Sequence, residues 1–340
     1  MSALRSFLAT AADGAALDES AAEAAFDAIM SGQAEPVESA AFLMALKVRG
    51  ETPAELVGAA RALRSRVLKV EAPADAIDTV GTGGDHSGTF NISTAAALVT
   101  AACGVPVAKH GNRAATSKSG AADVLQELGV NLDVTPETVS RALKEANIGF
   151  LFAQKHHSAF KNVAELRKQL GVRTIFNLIG PLCNPAGATR QLVGVFDRKW
   201  MKPMAEAFAR LGSRHVWVVH GSDGLDEITT TGVTYAVEMK DGVFREFEIT
   251  PEDAGLKRAP SEDLKGGDAA VNAAALRTIL HGRGGAYRDI AVLNSAAALV
   301  IAGKATDLKA GAEMARNALT NGHAAKTLAA LVAITNGQQS

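Results

Sequence analysis

The first 72 residues carry hydrophobic side chains at helical spacing. Apolar positions recur three and four residues apart in three segments, 21–30, 37–48 and 53–68. Thr52 and Glu55 flank Pro53 in the pattern of a capping box with proline at the first helical position, which predicts a helix start. Residues 1–72 are therefore predicted to form a small helical domain that ends near 70–73.

After residue 75 the pattern changes, because short β-branched runs alternate with helical segments. Strands are predicted at 77–80, 105–108, 131–133, 148–152, 192–196 and 216–219. Asp241 and Gly242 lie between the runs 235–239 and 243–249, and this dipeptide is typical of a tight hairpin. The sheet is therefore predicted to be mostly parallel, with an antiparallel addition.

Helical segments are interleaved with these strands. Thr135, Pro136 and Glu137 predict a second capped helix start, and the apolar run 286–303 predicts a helix buried against the sheet. The predicted fold class is α/β, with a small N-terminal helical domain and a large α/β domain over 73–340 that contains a mostly parallel central sheet.

Composition narrows the class of protein. The chain has 340 residues, of which 47% are hydrophobic, and a formal net charge of −1, which argues against a general nucleic-acid surface. Its two cysteines offer no disulfide framework and indicate a reducing compartment. The N-terminus lacks the pattern of a signal peptide, and no apolar run reaches the ~18 residues of a membrane span. We expect a soluble cytoplasmic enzyme, with no membrane and no nucleic acid among its partners.

A glycine-rich segment follows the first predicted strand. Residues 81–85 read GTGGD, and glycines let successive backbone N–H groups converge on a ligand. Ser93 and Thr94 begin a predicted helix, whose free N–H groups favour an anion, and Lys109 adds a positive charge from the next strand end. These features predict a phosphate or diphosphate site. An ordinary glycine turn with helix capping by Ser93 is the alternative, and the dinucleotide and Walker fingerprints are absent.

Three motifs carry a resemblance that covers nearly the whole chain. GTGGD at 81–85, FNIST at 90–94 and KHGNR at 109–113 resemble the anthranilate phosphoribosyltransferases of tryptophan biosynthesis. The resemblance implies transfer of the phosphoribosyl group of phosphoribosyl pyrophosphate to the amine of anthranilate, with release of pyrophosphate. It also implies the architecture shared with nucleoside phosphorylases, a homodimer, and a mid-chain segment near 165–185 that joins the helical domain.

The resemblance assigns three groups of site residues. The phosphoribosyl pyrophosphate site is expected to comprise Gly81, Gly84, Asp85, Thr89, Asn91, Ile92, Ser93, Thr94, Lys109, His110, Gly111, Asn112, Arg113, Ala114, Ala115, Thr116, Ser117 and Ala121. The anthranilate site is expected at Gly81, Asn112 and Arg167, and a Mg²⁺ site at Ser93, Asp226 and Glu227. No residue is evident as a general base, and His110 is the nearest candidate for a proton acceptor.

Residue chemistry agrees with two of these assignments. Arg167 lies on an amphipathic helix, where a solvated arginine is the ordinary interpretation, but a planar guanidinium also suits a carboxylate such as that of anthranilate. Asp226 and Glu227 follow a buried strand, and oxygen ligands suit a hard ion that shares substrate phosphates. Adjacent His156 and His157 do not share a helix face, which disfavours a transition-metal site.

The chain departs from the family pattern at several positions. His86, Gln154, Ser158, Ala114 and Ala121 replace residues common in the family, and at Ala121 a hydroxyl that commonly donates to the substrate phosphate is lost. Two alternative functions have sequence signs of their own. A pyrimidine nucleoside phosphorylase would carry a lysine-histidine-serine run before the glycine loop, where this chain has Ala76, Ile77 and Asp78. A non-catalytic nucleotide-binding relative would lack the acidic residues Asp226 and Glu227, which are present here.

Overall fold

The computed structural model, which describes residues 3–114 and 118–338, begins with a group of four helices. These are α1 (Arg5–Ala12), α2 (Glu19–Met30), α3 (Pro36–Arg49) and α4 (Pro53–Arg64). The predicted capping box at the start of α4 is confirmed. The Glu55 amide donates to the Thr52 hydroxyl at 3.3 Å, and the Thr52 amide donates to the Glu55 carboxylate at 2.9 Å.

The second part of the chain contains one twisted sheet. Within the described residues it has seven strands, β1 (Ile77–Gly81), β2 (Val107–Gly111), β3 (Ile148–Phe152), β4 (Arg190–Gly194), β5 (His215–Gly221), β6 (Thr234–Lys240) and β7 (Val243–Ile249). The strand order is β3-β2-β1-β4-β5-β6-β7. The first five strands are parallel, while β6 and β7 form the predicted antiparallel hairpin. Asp241 and Gly242 have φ of 48° and 84° at its turn, as a tight hairpin requires.

Helices cover both faces of the sheet. They are α5 (Ile92–Ala102), α6 (Ala121–Glu127), α7 (Pro136–Glu145), α8 (Ala153–His156), α9 (Lys161–Leu170), α10 (Met201–Arg210), α11 (Ala269–Leu280), α12 (Ala286–Ile301), α13 (Leu308–Thr320) and α14 (His323–Thr335). Short 3₁₀ turns occupy Ser158–Phe160, Ile175–Asn177, Pro181–Cys183, Arg198–Trp200, Pro251–Ala254 and Ser261–Leu264. Helix α12 is buried along most of its length, as predicted. Every helix in 3–114 and 118–338 is too short or too polar to cross a membrane.

Two large apolar cores lie on opposite faces of the sheet. One contains α5, α12 and the C-terminal helices. The other joins the N-terminal helices to α10 and to a mid-chain segment, since Phe26 and Phe42 lie in one core with Phe176 and Leu182. Asn162 of α9 also donates to the Met30 carbonyl at 2.7 Å. The mid-chain segment thus packs on the N-terminal helices, while the domain bounds 1–72 and 73–340 stay a prediction.

Several predicted boundaries are wrong, two of them for an identifiable reason. Residues 131–133 form no strand, because the Asn131 side chain accepts the Asp133 amide at 2.9 Å and closes a local turn. Strand β2 begins at Val107 rather than at residue 105, since Pro106 has no N–H to donate to a ladder. Strand β4 begins and ends two residues earlier than predicted, and α4 ends at Arg64 rather than at residue 68.

Candidate active site

The glycine loop, residues 81–85, follows β1 at the carboxyl edge of the sheet. Gly83 and Gly84 have φ of 70° and 78°, a region that residues with a Cβ rarely adopt. The Thr82 amide donates to the Gly194 carbonyl at 2.9 Å, and the Phe196 amide donates to the Thr82 hydroxyl at 3.1 Å. The loop is therefore fastened to the end of β4, the neighbouring strand.

An acidic turn, residues 222–227, folds back from β5 over this loop. The Gly83 amide donates to the Asp226 carboxylate at 2.7 Å, and the Ser93 amide donates to the Glu227 carboxylate at 3.1 Å. A Cβ built on Gly81 would overlap the Asp226 side chain. The structure therefore brings the three residues predicted for Mg²⁺ to the glycine loop and to the N-terminus of α5.

The carboxylates of this cluster destabilise one another's charge. Burial, followed by the charges of Asp85 and Glu227, raises the pKa of Asp226 well above its ordinary value. Burial raises the pKa of Glu227 to about 7, against the opposing effect of Lys109. Asp85, Asp226 and Glu227 thus repel one another, and an additional cation at this position would relieve their repulsion.

Lys109 of β2 is buried, and its ammonium lies next to the start of α5. Its ammonium donates to the Thr79 carbonyl at 2.6 Å and to the Ser93 hydroxyl at 3.4 Å. Burial lowers the pKa of Lys109, while Asp78, Glu227 and Asp226 act in the opposite direction. The side chain is therefore held rigidly at the start of α5.

Strands β1 and β2 separate toward this end of the sheet. Ile77 of β1 is paired with Val107 of β2. Beyond that pair, hydrogen bonds to side chains take the place of backbone hydrogen bonds between the two strands. The His110 amide donates to the Asp78 carboxylate at 3.1 Å, and the Asn184 side chain donates to the same carboxylate at 2.8 Å. The buried Asp78 thus fixes the KHGNR loop, a role that no local sequence signal indicates.

The N-terminus of α5 is held by residues from distant helices. The Asn272 amide group donates to the Asn91 side chain at 2.9 Å, and the Tyr287 hydroxyl donates to the Asn91 carbonyl at 3.2 Å. Tyr287 also stacks on Phe90 with ring centroids 4.4 Å apart. Neither Asn272 nor Tyr287 was identified from the sequence as a residue that supports the site. The buried Thr94 hydroxyl has no hydrogen-bond partner within the described residues.

The remaining predicted donor-site residues surround this centre. Ile92 is buried, and Thr89 bridges to Lys265. Gly111 lies close to α6, since a Cβ built on it would be 3.3 Å from the Cβ of Ala121. Each of these positions therefore lies on a loop or helix that borders the carboxyl ends of β1 and β2.

The end of the KHGNR loop is engaged with α6. Arg113 donates to the Asp123 carboxylate and to the Gln126 side chain, both at 2.7 Å. The Ala114 amide donates to Asp123 at 3.0 Å, while Asn112 is exposed. The Arg113 guanidinium is therefore already hydrogen-bonded to side chains of α6. The predicted residues Ala115, Thr116 and Ser117 lie outside the described residues.

His110 contacts another histidine rather than a carboxylate. Its Nε2 lies 3.2 Å from Nε2 of His157, and burial lowers the pKa of His110 well below its ordinary value. Burial also lowers the pKa of His157 to about 4. Both rings are therefore neutral near pH 7, and His110 is a weak proton acceptor.

Arg167 lies half-buried on α9 between two aromatic rings. Its guanidinium carbon is 5.5 Å from the ring centre of Phe160 and 5.7 Å from that of Phe176. Burial lowers its pKa, and within residues 3–114 and 118–338 it forms no ion pair. Arg167 is thus a cation held between two aromatic rings, with no acidic side chain paired to it in these parts of the chain.

Comparison with known proteins places this arrangement in a family. Residues 73–325 match a glycosyl transferase family a/b domain, and residues 5–67 match a glycosyl transferase family helical bundle domain. The chain is 58% identical over 340 residues to the anthranilate phosphoribosyltransferase of Parvibaculum lavamentivorans, with 100% of both sequences covered.

Solved structures agree with the sequence relatives. The crystal structure of anthranilate phosphoribosyltransferase from Thermus thermophilus matches with a TM-score of 0.93 at 45% identity, covering 99% of this chain and 100% of that one. The Saccharomyces cerevisiae enzyme in complex with phosphoribosyl pyrophosphate and Mg matches with a TM-score of 0.90 at 27% identity, covering 98% of each chain. This chain belongs to the anthranilate phosphoribosyltransferase family.

Proposed function

We propose that this chain transfers the phosphoribosyl group of phosphoribosyl pyrophosphate to the amine of anthranilate, giving N-(5-phosphoribosyl)anthranilate and pyrophosphate. One observation carries the proposal. The acidic turn is hydrogen-bonded both to the glycine loop, through the Gly83 amide, and to the N-terminus of α5, through the Ser93 amide. Backbone donors and carboxylates therefore meet at one point, as a metal-bound diphosphate requires.

The reaction is a substitution at the anomeric carbon. The amine lone pair forms the new C–N bond, the bond to the diphosphate oxygen breaks with its electron pair, and the amine then releases a proton. An arylamine is neutral at pH 7 with its lone pair free, so no strong base is required. The weakly basic His110 remains the candidate acceptor for the proton that the amine releases. The rate comes chiefly from positioning and from stabilisation of the oxocarbenium-like state and of the departing diphosphate.

The donor set fits Mg²⁺ shared with substrate. No group of three His, Cys, Asp or Glu side chains in the described part of the chain is arranged to hold a metal by itself. Mg²⁺ ordinarily takes one or two carboxylates together with waters and substrate phosphates, so Asp226, Glu227 and the Ser93 hydroxyl would suffice. The bound ion would supply positive charge to the diphosphate as it departs.

An assay of anthranilate fluorescence tests the function. Purified protein should consume anthranilate when phosphoribosyl pyrophosphate and Mg²⁺ are both present, and omission of either should stop the reaction. Thymidine or uridine with phosphate should give no free base. Cleavage of these nucleosides without consumption of anthranilate would replace this proposal by the phosphorylase alternative, which the comparisons do not favour.

Arg167 is proposed to bind the anthranilate carboxylate, with Gly81 and Asn112 on the amine side. Arg167→Ala should raise the KM for anthranilate about ten- to a hundredfold, because a charge-assisted contact is lost. The KM for phosphoribosyl pyrophosphate should change much less. Lys168→Ala is the matched control, since this neighbour on α9 is exposed. Unchanged anthranilate kinetics in Arg167→Ala would exclude this acceptor site.

The assembly is proposed to be a homodimer formed through α3. Four apolar residues at helical spacing, Val37, Ala41, Met44 and Val48, form an apolar stripe along this helix. Val37 and Val48 are 80% and 82% exposed, which is unusual for large apolar side chains. A second copy of the chain would bury the stripe about a two-fold axis.

Charge placed on the apolar stripe tests the assembly. Val48→Glu should convert a dimer into a monomer in light scattering, because the dimer would bury an unpaired carboxylate. Val271→Glu provides the matched control, since Val271 is 53% exposed on α11, away from the stripe. A wild-type monomer at micromolar concentration would refute the dimer, and a dimeric Val48→Glu variant would refute this interface.

A further inference from the structure

Arg173 lies between the helix that carries the proposed acceptor residue and the loop that binds the donor. Helix α9 ends at Leu170, and Gly171 reverses the chain with φ of 61°. Arg173 follows before the 3₁₀ turn Ile175–Asn177 begins. No role was assigned to this side chain from the sequence.

The Arg173 side chain reaches the glycine loop. Its Nη2 donates to the Gly84 carbonyl, and its guanidinium carbon lies 4.4 Å from the ring centre of Phe196. A Cβ built on Gly84 would be 3.4 Å from Nε of Arg173. The amide of Phe196 is bonded to Thr82 of the same loop, so ring, guanidinium and loop form one packed unit.

Most of the hydrogen-bonding capacity of Arg173 is unused. A guanidinium has five N–H donors, and within the described residues Arg173 makes one hydrogen bond and no ion pair. Lys109 differs, since its ammonium is bonded to Thr79 and Ser93 and is surrounded by carboxylates. Arg173 is therefore a cation at the glycine loop whose charge is not balanced by a carboxylate of these parts of the chain, and planar guanidinium donors suit phosphate oxygens.

We propose that Arg173 is a donor-binding residue, whose remaining guanidinium N–H groups contact phosphate oxygens of phosphoribosyl pyrophosphate. Its bond to Gly84 holds the guanidinium in place before the donor arrives. This inference rests on the proposed function and adds a phosphate contact to it.

Two substitutions separate charge from shape. Arg173→Gln removes the charge but keeps an N–H that can reach the Gly84 carbonyl, while Arg173→Lys keeps the charge without the planar fork. Arg198→Gln is the matched control, because Arg198 also stacks on an aromatic ring, 3.6 Å from the centre of Tyr235, and is exposed. Steady-state kinetics with both substrates are measured with inhibition by pyrophosphate and by ribose 5-phosphate, and thermal melting checks folding.

The wild-type enzyme is measured first, so that absence of turnover counts against the proposed function and not against Arg173. Arg173→Gln should raise the KM for phosphoribosyl pyrophosphate about tenfold, with a parallel rise in one inhibition constant and little change in the KM for anthranilate. Arg173→Lys should recover part of this loss. The inhibitor that is weakened identifies which phosphate Arg173 contacts.

Two results would overturn the inference. The first is that, in Arg173→Gln, the KM for phosphoribosyl pyrophosphate and both inhibition constants stay within about twofold of the wild-type values. Loss of one hydrogen bond to a charged group would change them by more than this. Equal increases in the KM of both substrates, with neither inhibitor weakened, would instead show that Arg173 only fastens the loop. In either case the kinetic constants of Arg198→Gln show how large a change the loss of an arginine charge causes at an unrelated position.

Discussion

Replacing Asp226 by Asn and Glu227 by Gln together is expected to lower Mg²⁺-dependent turnover by about a hundredfold or more, because a metal ion that neutralises the departing diphosphate is worth several kcal/mol. The fold should survive. Amide oxygens can still accept from the Gly83 and Ser93 amides, which now donate at 2.7 and 3.1 Å. The Tm should stay close to that of the wild type, because the loss of repulsion between the two carboxylates is offset by the loss of their attraction for the buried Lys109.

The measurement is turnover as a function of Mg²⁺ concentration, with Tm recorded in parallel. Glu246→Gln with Glu248→Gln is the matched control, since it removes the same formal charge from exposed positions of β7. Near-normal turnover of the Asp226 and Glu227 double variant at limiting Mg²⁺ would show that the metal is not held there.

Gly194→Ala is expected to have an effect of similar size through geometry alone. Gly194 ends β4, and a Cβ built on it would overlap the Asp226 carbonyl oxygen. The acidic turn would have to move away from the glycine loop, and a displacement of about 1 Å in a catalytic group costs about a hundredfold in rate. Because the clash is with backbone, the Tm should also fall.

Gly180→Ala provides the control for this substitution. A Cβ at Gly180 would meet no atom within 4 Å, and its φ of −51° is open to any residue. Turnover and Tm of Gly180→Ala should stay close to wild type. A Gly194→Ala enzyme with normal Mg²⁺ dependence would show that the close packing of the acidic turn on β4 is not required.

The elements predicted correctly are those whose signal is local. The capping box at Thr52 and the turn at Asp241 and Gly242 each involve neighbouring residues, so their chemistry is visible in a short stretch of sequence. The prediction failed at 131–133, where the Asn131 side chain replaces a ladder bond, and at β2, where proline delays the start. In both places one side chain overrides the apolar pattern.

The site was only partly predictable from residue types. Glycines and a helix start indicated an anion, but the assignment of Asp226 and Glu227 to Mg²⁺ came from the family resemblance. Asp78 and Asn184 gave no signal, because their roles exist only after two strands separate and a distant loop packs against them. Arg173 was hidden for the same reason, since its contact with Gly84 spans 89 residues.

The long separations in the site also constrain how the protein folds. The bonds from Gly83 to Asp226 and from Ser93 to Glu227 span 143 and 134 residues, and parallel strands β4 and β5 lie between their partners in the sequence. Such non-local contacts form late, after loop-closure entropy has been overcome. A nascent chain that has emerged only as far as β4 therefore carries the glycine loop without its carboxylates. If the acidic turn holds the metal as proposed, catalytic competence arises only when synthesis has passed this turn.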